Sequence, residues 1–149
     1  EFVIALDTPG SCQGEVVLKF LEKTYSILKN AKSYFDKVNI HIIQCDAKIQ
    51  QDKKITCDKE FEEYVDNIEI LGFGGTDFRP VFEYVDELIA QHELVNLKGL
   101  LYFTDGNGYF PEKMPDYDTA FVFVEAGQRI PQIPPWAIKV VLTEDEIFQ

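Results

Sequence analysis

Basic residues are scarce in this chain of 149 residues: 14 Lys and Arg stand against 26 Asp and Glu, a net charge of −12. They are also scattered, with no cluster larger than Lys53-Lys54. A phosphate-binding surface gathers cations, so the charge pattern argues against nucleic acid and anionic membrane as partners. Cations or a basic protein surface suit it better. Cysteine is sparse too. Cys12, Cys45 and Cys57 are odd in number and far apart, with no CxxC pair. That argues against a disulfide framework and a zinc knuckle, and favours a reducing, cytoplasmic setting. Only two histidines occur and no HExxH, so a zinc-protease site has no ligands in this segment. No apolar run approaches the roughly 18–20 residues that span a bilayer, and no cationic leader precedes an apolar stretch.

What remains is globular in composition, 46% apolar and 27% charged. Short apolar runs alternate with helical periodicity. Phe2 to Leu6 is a buried-strand run ending at Asp7, and Val17, Leu21, Thr24, Leu28, Ala31 and Phe35 then mark one face of a long helix. Val38 to Ile43 predicts a second strand. Asp46-Ala47-Lys48 predicts a turn into a polar strand, Ile49 to Ile55, whose Lys53 and Lys54 are charges suited to a sheet edge. A short helix over 59–65 and a strand over 68–71 follow. Gly72-Phe73-Gly74-Gly75 leads into a second amphipathic helix, capped by Asp77, with Phe78, Phe82, Val85, Leu88, Ile89 and His92 on its buried face. Gly99 to Thr104, Ala120 to Val124 and Ala137 to Leu142 are continuous apolar runs, as in parallel strands covered on both faces. The expected fold is a doubly wound, Rossmann-like α/β sandwich. It has a mostly parallel sheet, one antiparallel edge strand and helices on both faces. Residues 1–149 form one domain of ordinary size, and the start at Glu1, with a strand at once, suggests the C-terminal part of a longer protein.

In such sheets ligands bind beyond the carboxyl ends of the strands, where the strand order reverses. Three oxygen-bearing segments should arrive there: Asp7 to Ser11 after the first strand, Gly74 to Asp77 before a helix, and Thr104-Asp105-Gly106 after another strand. Hydroxyls and carboxylates from separate loops suit a hard divalent cation, which takes about six oxygens and keeps several waters.

The segments DTPGSC, GGTDFRPVF, LLYFTDGNGYFPEKMPDYDTAFVF and PPWAIKVVL together resemble the von Willebrand factor A-like (vWA-like) domain of a bacterial family of predicted metallopeptidases. The resemblance covers essentially the whole chain, and GGTDFRP and YFTDG are its most specific parts. It implies a metal-ion-dependent adhesion site (MIDAS) of the form Asp-x-Ser-x-Ser, then a distant Thr and a distant Asp. Carried across, the metal residues are Asp7, Ser11, Thr76 and Asp105, and the ion is Mg²⁺, or Mn²⁺ or Ca²⁺. The middle serine falls on Pro9, which has no side-chain oxygen, and a proline there biases Thr8 toward extended geometry. One of three expected direct ligands is therefore lost, and the site is degenerate. The resemblance further implies a protein-interaction module and not an enzyme, in a complex with a MoxR-type AAA+ ATPase. Any peptidase activity would belong to an upstream region.

Two other readings stay open. Without a metal, Asp7 and Asp105 would only hydrogen-bond loop amides and a helix N-terminus, in a purely structural domain. Alternatively Asp7, at the end of a first strand, could be the nucleophile of a haloacid-dehalogenase-type phosphatase. That chemistry needs a general-acid carboxylate two residues on, again at Pro9. Cys12 near a helix start, His41 on a strand and His92 on a helix are expected to be structural. Tyr109 and Phe110 either form an apolar rim beside Asp105 or tuck under their loop, and Trp136 is expected to pack where the last strand begins.

Overall fold

The computed structural model describes residues 1–7, 14–31, 39–68, 77–104, 108–125, 132–143 and 145–146. Six strands and three helices are defined there: β1 (Phe2–Asp7), α1 (Gly14–Ala31), β2 (Ile40–Cys45), β3 (Ile49–Ile55), α2 (Asp58–Asp66), α3 (Arg79–Ala90), β4 (Gly99–Phe103), β5 (Asp118–Glu125) and β6 (Ile138–Thr143). They form one sheet in the order β3-β2-β1-β4-β5-β6. Only β3 runs antiparallel, paired to β2 with Ile40 opposite Ile55 and an irregularity at Gln44/Cys45. The doubly wound α/β architecture with one antiparallel edge is the expected one.

Two apolar clusters lie on the two faces of the sheet, separated by the period-2 alternation of its strands. On one face Ile4, Leu6, Ile40 and Ile42 meet α1 through Val17, Phe20 and Leu21, and α2 through Phe61 and Tyr64. On the other, Val3, Ala5, Ile43 and Cys45 meet α3 through Val81, Phe82, Val85 and Leu88. Strand β1 is thus buried on both sides, which is why its sequence is an unbroken apolar run. Val17, Leu21 and Thr24 are buried as the helical spacing predicts, while Ile27, off that stripe, is 67% exposed. Phe35 and the side chains of Leu28 and Ala31 lie outside the described residues.

Four expectations need correction. His92 does not line the buried face of α3. It follows the helix end, exposed, in the left-handed region at φ 61°. There the amides of Gln91 and His92 close the last turn onto Glu87 and Ile89, so the helical period stops before it reaches this residue. The run Ala137 to Leu142 is not covered on both faces: β6 is the outer strand of the described sheet, with Ile138 57% exposed. An apolar run reports strand formation without reporting where in the sheet the strand lies. Asp77 is not the N-cap residue, which is Phe78. Its carboxylate instead accepts the Arg79 backbone N–H at 3.0 Å, one step outside the helix. Ile68 belongs to the turn closing α2 and not to a strand; residues 69–71 of the expected strand, and Cys12, lie outside the described residues.

Candidate functional site

Strands β1 and β4 are parallel neighbours, and the chain order reverses between them, since β2 lies beyond β1 and β5 beyond β4. Their carboxyl ends carry Asp7 and Thr104. Leu6 pairs with Phe103 in register, so the next residues on each strand come side by side. Both side chains are fully buried. The Thr104 hydroxyl donates to Asp7 Oδ2 at 2.7 Å, and the Thr104 amide continues the β4–β5 ladder by donating to the Val122 carbonyl. A carboxylate taken wholly out of water must be hydrogen-bonded or paired, and this threonine, held rigidly by the sheet, meets part of that need.

By the strand period, Asp7 and Thr104 share the α3 face with Cys45 and Tyr102. The Cys45 thiol contacts the Leu6 carbonyl and the Tyr102 hydroxyl, each at 3.4 Å. Burial, reinforced by the charges of Asp7 and Asp46, pushes the Cys45 thiol up to about 12 despite the Tyr102 contact. It stays protonated and inert as a nucleophile. Burial also holds the Tyr102 phenol well above its usual value, with Cys45, Asp7 and Asp77 adding to the effect. Asp7 and Asp77 therefore both act on one phenol. Asp77 is itself tied to Arg79, through Nε at 3.0 Å and Nη2 at 2.8 Å. These hydrogen bonds keep its carboxyl below the ordinary range. The Arg79 guanidinium lies 5.0 Å from the Tyr109 ring centroid, and the Tyr109 carbonyl accepts the Phe78 N–H.

Of the four residues assigned to a metal, Asp7 is the one described. Ser11, Thr76 and Asp105 lie outside the described residues, as does Pro9. Their chain neighbours Asp77 and Thr104 are described, and both lie around Tyr102 with Asp7. Among the described residues, no group of three or more His, Cys, Asp or Glu could hold a metal. Sequence reasoning missed Thr104 as the direct partner of Asp7. Both residues end apolar runs in the sequence, but only the sheet order makes those two strands neighbours.

The profile of the family described as VWA-like domain (DUF2201) matches residues 2–143, nearly the whole chain. The chain belongs to this VWA-like family. No curated protein matches it. Among solved structures the VWA-like domain is similar to an aerotolerance-related membrane protein from Bacteroides fragilis, with a TM-score of 0.56 and 15% identity over 82% of this chain and 66% of that one. A von Willebrand factor type A structure from Catenulispora acidiphila gives 0.59 and 12% over 83% and 33%. Proximal thread matrix protein 1 of the mussel byssus, solved with zinc in its MIDAS motif, gives 0.64 and 10% over 99% and 44%. At these identities the likeness is one of fold, and the VWA-like domain spans 33–66% of those proteins' lengths. No helix among the described residues is long and apolar enough to cross a membrane.

His41 is one of the two histidines expected to be structural. It is buried, and its Nδ1 donates to Asp52 Oδ1 at 2.9 Å. Phe110 tucks inward against Phe78 and Phe121, whereas Tyr109 is 69% exposed, so the two aromatics divide between rim and core. Trp136 packs edge-on against Phe82.

Proposed function

We propose that this VWA-like domain is a protein-interaction module whose contact surface centres on the carboxyl ends of β1 and β4. The observation that carries the reading is the fully buried pair of Asp7 and Thr104 at the point of strand reversal, where such folds place their ligands. A hard divalent cation suits this donor chemistry, because carboxylate and hydroxyl oxygens are the ligands such ions take. Asp7, Ser11, Thr76 and Asp105 would hold Mg²⁺, or Mn²⁺ or Ca²⁺, and the ion would supply an open position for an acidic side chain of a partner. Pro9 removes one hydroxyl, so the native affinity is expected to be weak. On this reading the domain is not an enzyme. The resemblance to domains of predicted metallopeptidases supports a MoxR-type AAA+ ATPase as the partner, and the free thiols of Cys45 and Cys57 support a reducing, cytoplasmic setting.

Calorimetric titration with Mg²⁺ and Mn²⁺ tests this. Pro9→Ser should bind at least about tenfold more tightly than the native chain, one restored ligand being worth roughly 1.4 kcal/mol or more, and Asp7→Asn should bind neither ion. No binding by Pro9→Ser would overturn the metal site. Turnover of p-nitrophenyl phosphate that disappears in Asp7→Asn would replace the module by a phosphatase.

A further inference from the structure

The connection from β4 to β5 has no helix in its stretch 108–117, although it runs over the sheet face that α3 covers. Phe110 and Tyr117 pack down into that face. Between the stretch and α3 lies an open cleft of about 520 Å³, walled on the helix side by Arg79, Phe82, Glu83 and Asp86. These four positions follow the three-and-four spacing of one helix stripe.

The charge of the cleft is one-sided. Glu83, Asp86, Glu112 and Asp116 line it against Lys113 and Arg79, and Arg79 is already bound to Asp77. In its wall Tyr117 is only 8% exposed, and its hydroxyl has no hydrogen-bond partner among the described residues. Asp86 and Asp116 both act on that phenol through their charges, so it lies near two carboxylates without bonding either. Burial, and then the charge of Asp116, lifts the Asp86 carboxyl above its ordinary value. A buried hydroxyl left without a partner costs about 1–3 kcal/mol. Stability alone does not account for an unbonded phenol beside two mutually repelling carboxylates, whereas a donor-rich cation would satisfy all three.

We propose that this cleft docks a Lys- or Arg-bearing segment of a partner protein, its cationic group received by Asp86, Asp116 and the Tyr117 hydroxyl. The proposal rests on the interaction-module reading and supplies the partner's chemistry. A peptide segment fits better than a small polyamine, because exposed Tyr109 and Met114 flank the charged floor. Apolar flanks suit the aliphatic stem of a basic residue and the side chains beside it. The cleft also opens beside Tyr109 and Arg79, next to Asp77, so a segment lying in it would continue the surface at the strand ends.

The test follows fluorescein-labelled hexalysine by anisotropy, with EDTA present throughout. The native chain should bind it, and the exposed pair of changes Asp86→Asn and Asp116→Asn should weaken binding at least about tenfold. Tyr117→Phe should weaken it severalfold without lowering the melting temperature, since the ring still packs and no hydrogen bond is lost. Glu62→Gln with Glu63→Gln removes equal charge from exposed positions on α2 and should leave binding within about twofold. Unchanged binding in the Asp86/Asp116 variant, or equal weakening in the Glu62/Glu63 variant, would overturn the cleft. Displacement by spermine as effective as by unlabelled hexalysine would overturn the assignment to a peptide. A chain that takes up no metal yet binds hexalysine through Asp86 and Asp116 refutes the metal site and keeps the cleft. A metal-binding chain indifferent to those changes does the reverse.

Discussion

Asp7 owes its position to β1 and its environment to Thr104. Hydrogen bonds to charged groups contribute about 1.5–3 kcal/mol, and losing one inside a protein leaves the charge poorly solvated. Thr104→Val keeps the side chain's shape and removes the hydroxyl that Asp7 accepts. It should therefore lower stability in urea denaturation by about 1.5–3 kcal/mol. A loss below about 0.5 kcal/mol, the range of an ordinary surface change, would show that the carboxylate does not depend on this bond. Cys45 illustrates the opposite outcome at the same scale. It adjoins Asp7 in register, but burial pushes its thiol up to about 12 and leaves it without thiolate chemistry.

At the scale of the element, α1 shows how one stripe of residues decides a helix's place. Leu21 is fully buried against the sheet and Ile27 is 67% exposed, though both are apolar and six positions apart. Leu21→Ala should destabilise by about 2–5 kcal/mol, combining lost burial with a cavity. Ile27→Ala should stay within about 0.5 kcal/mol of the native chain in the same chemical denaturation. Similar losses at both positions would mean that α1 packs on a different face. The stacked rings of Tyr25 and Phe61, with centroids 3.9 Å apart, extend the contact from α1 to α2. The Tyr25 hydroxyl donates to Asp58 in the first turn of α2.

At the scale of the whole molecule, Asp52 joins three elements. It lies on β3 and accepts hydrogen bonds from His41 on β2 and Tyr84 on α3. Burial pulls its carboxyl upward, but the bonds from His41 and Tyr84 outweigh that and hold it below its usual value. The folded state therefore binds this proton less readily than the unfolded chain. The resulting stability is fully present above the ordinary carboxylate pKa near 4 and drains away as pH falls through the lower folded value. Asp52→Asn should cost about 1–3 kcal/mol at pH 7, and the gap in melting temperature should close as the pH falls from about 4 to 2. A gap constant across that range would show that the bonds do not depend on the ionised carboxylate. Asp86 has the opposite sign: its raised carboxyl favours the folded state most when protonated.

The sequence by itself determined the element types, because a period of two or of three to four is written locally in runs such as Phe2 to Leu6 and in the Val17, Leu21, Thr24 stripe. It also carried the family, through segments such as GGTDFRP and YFTDG. It could not place β6 at the edge, since apolar side chains promote a strand wherever the strand lies, and it could not stop the α3 period short of His92. The pairing of Asp7 with Thr104, 97 positions apart, and the cleft between α3 and residues 109–117, were decided only by tertiary structure. Both depend on which strands become neighbours, and that choice minimises the free energy of the whole chain and is not encoded in any one segment of it.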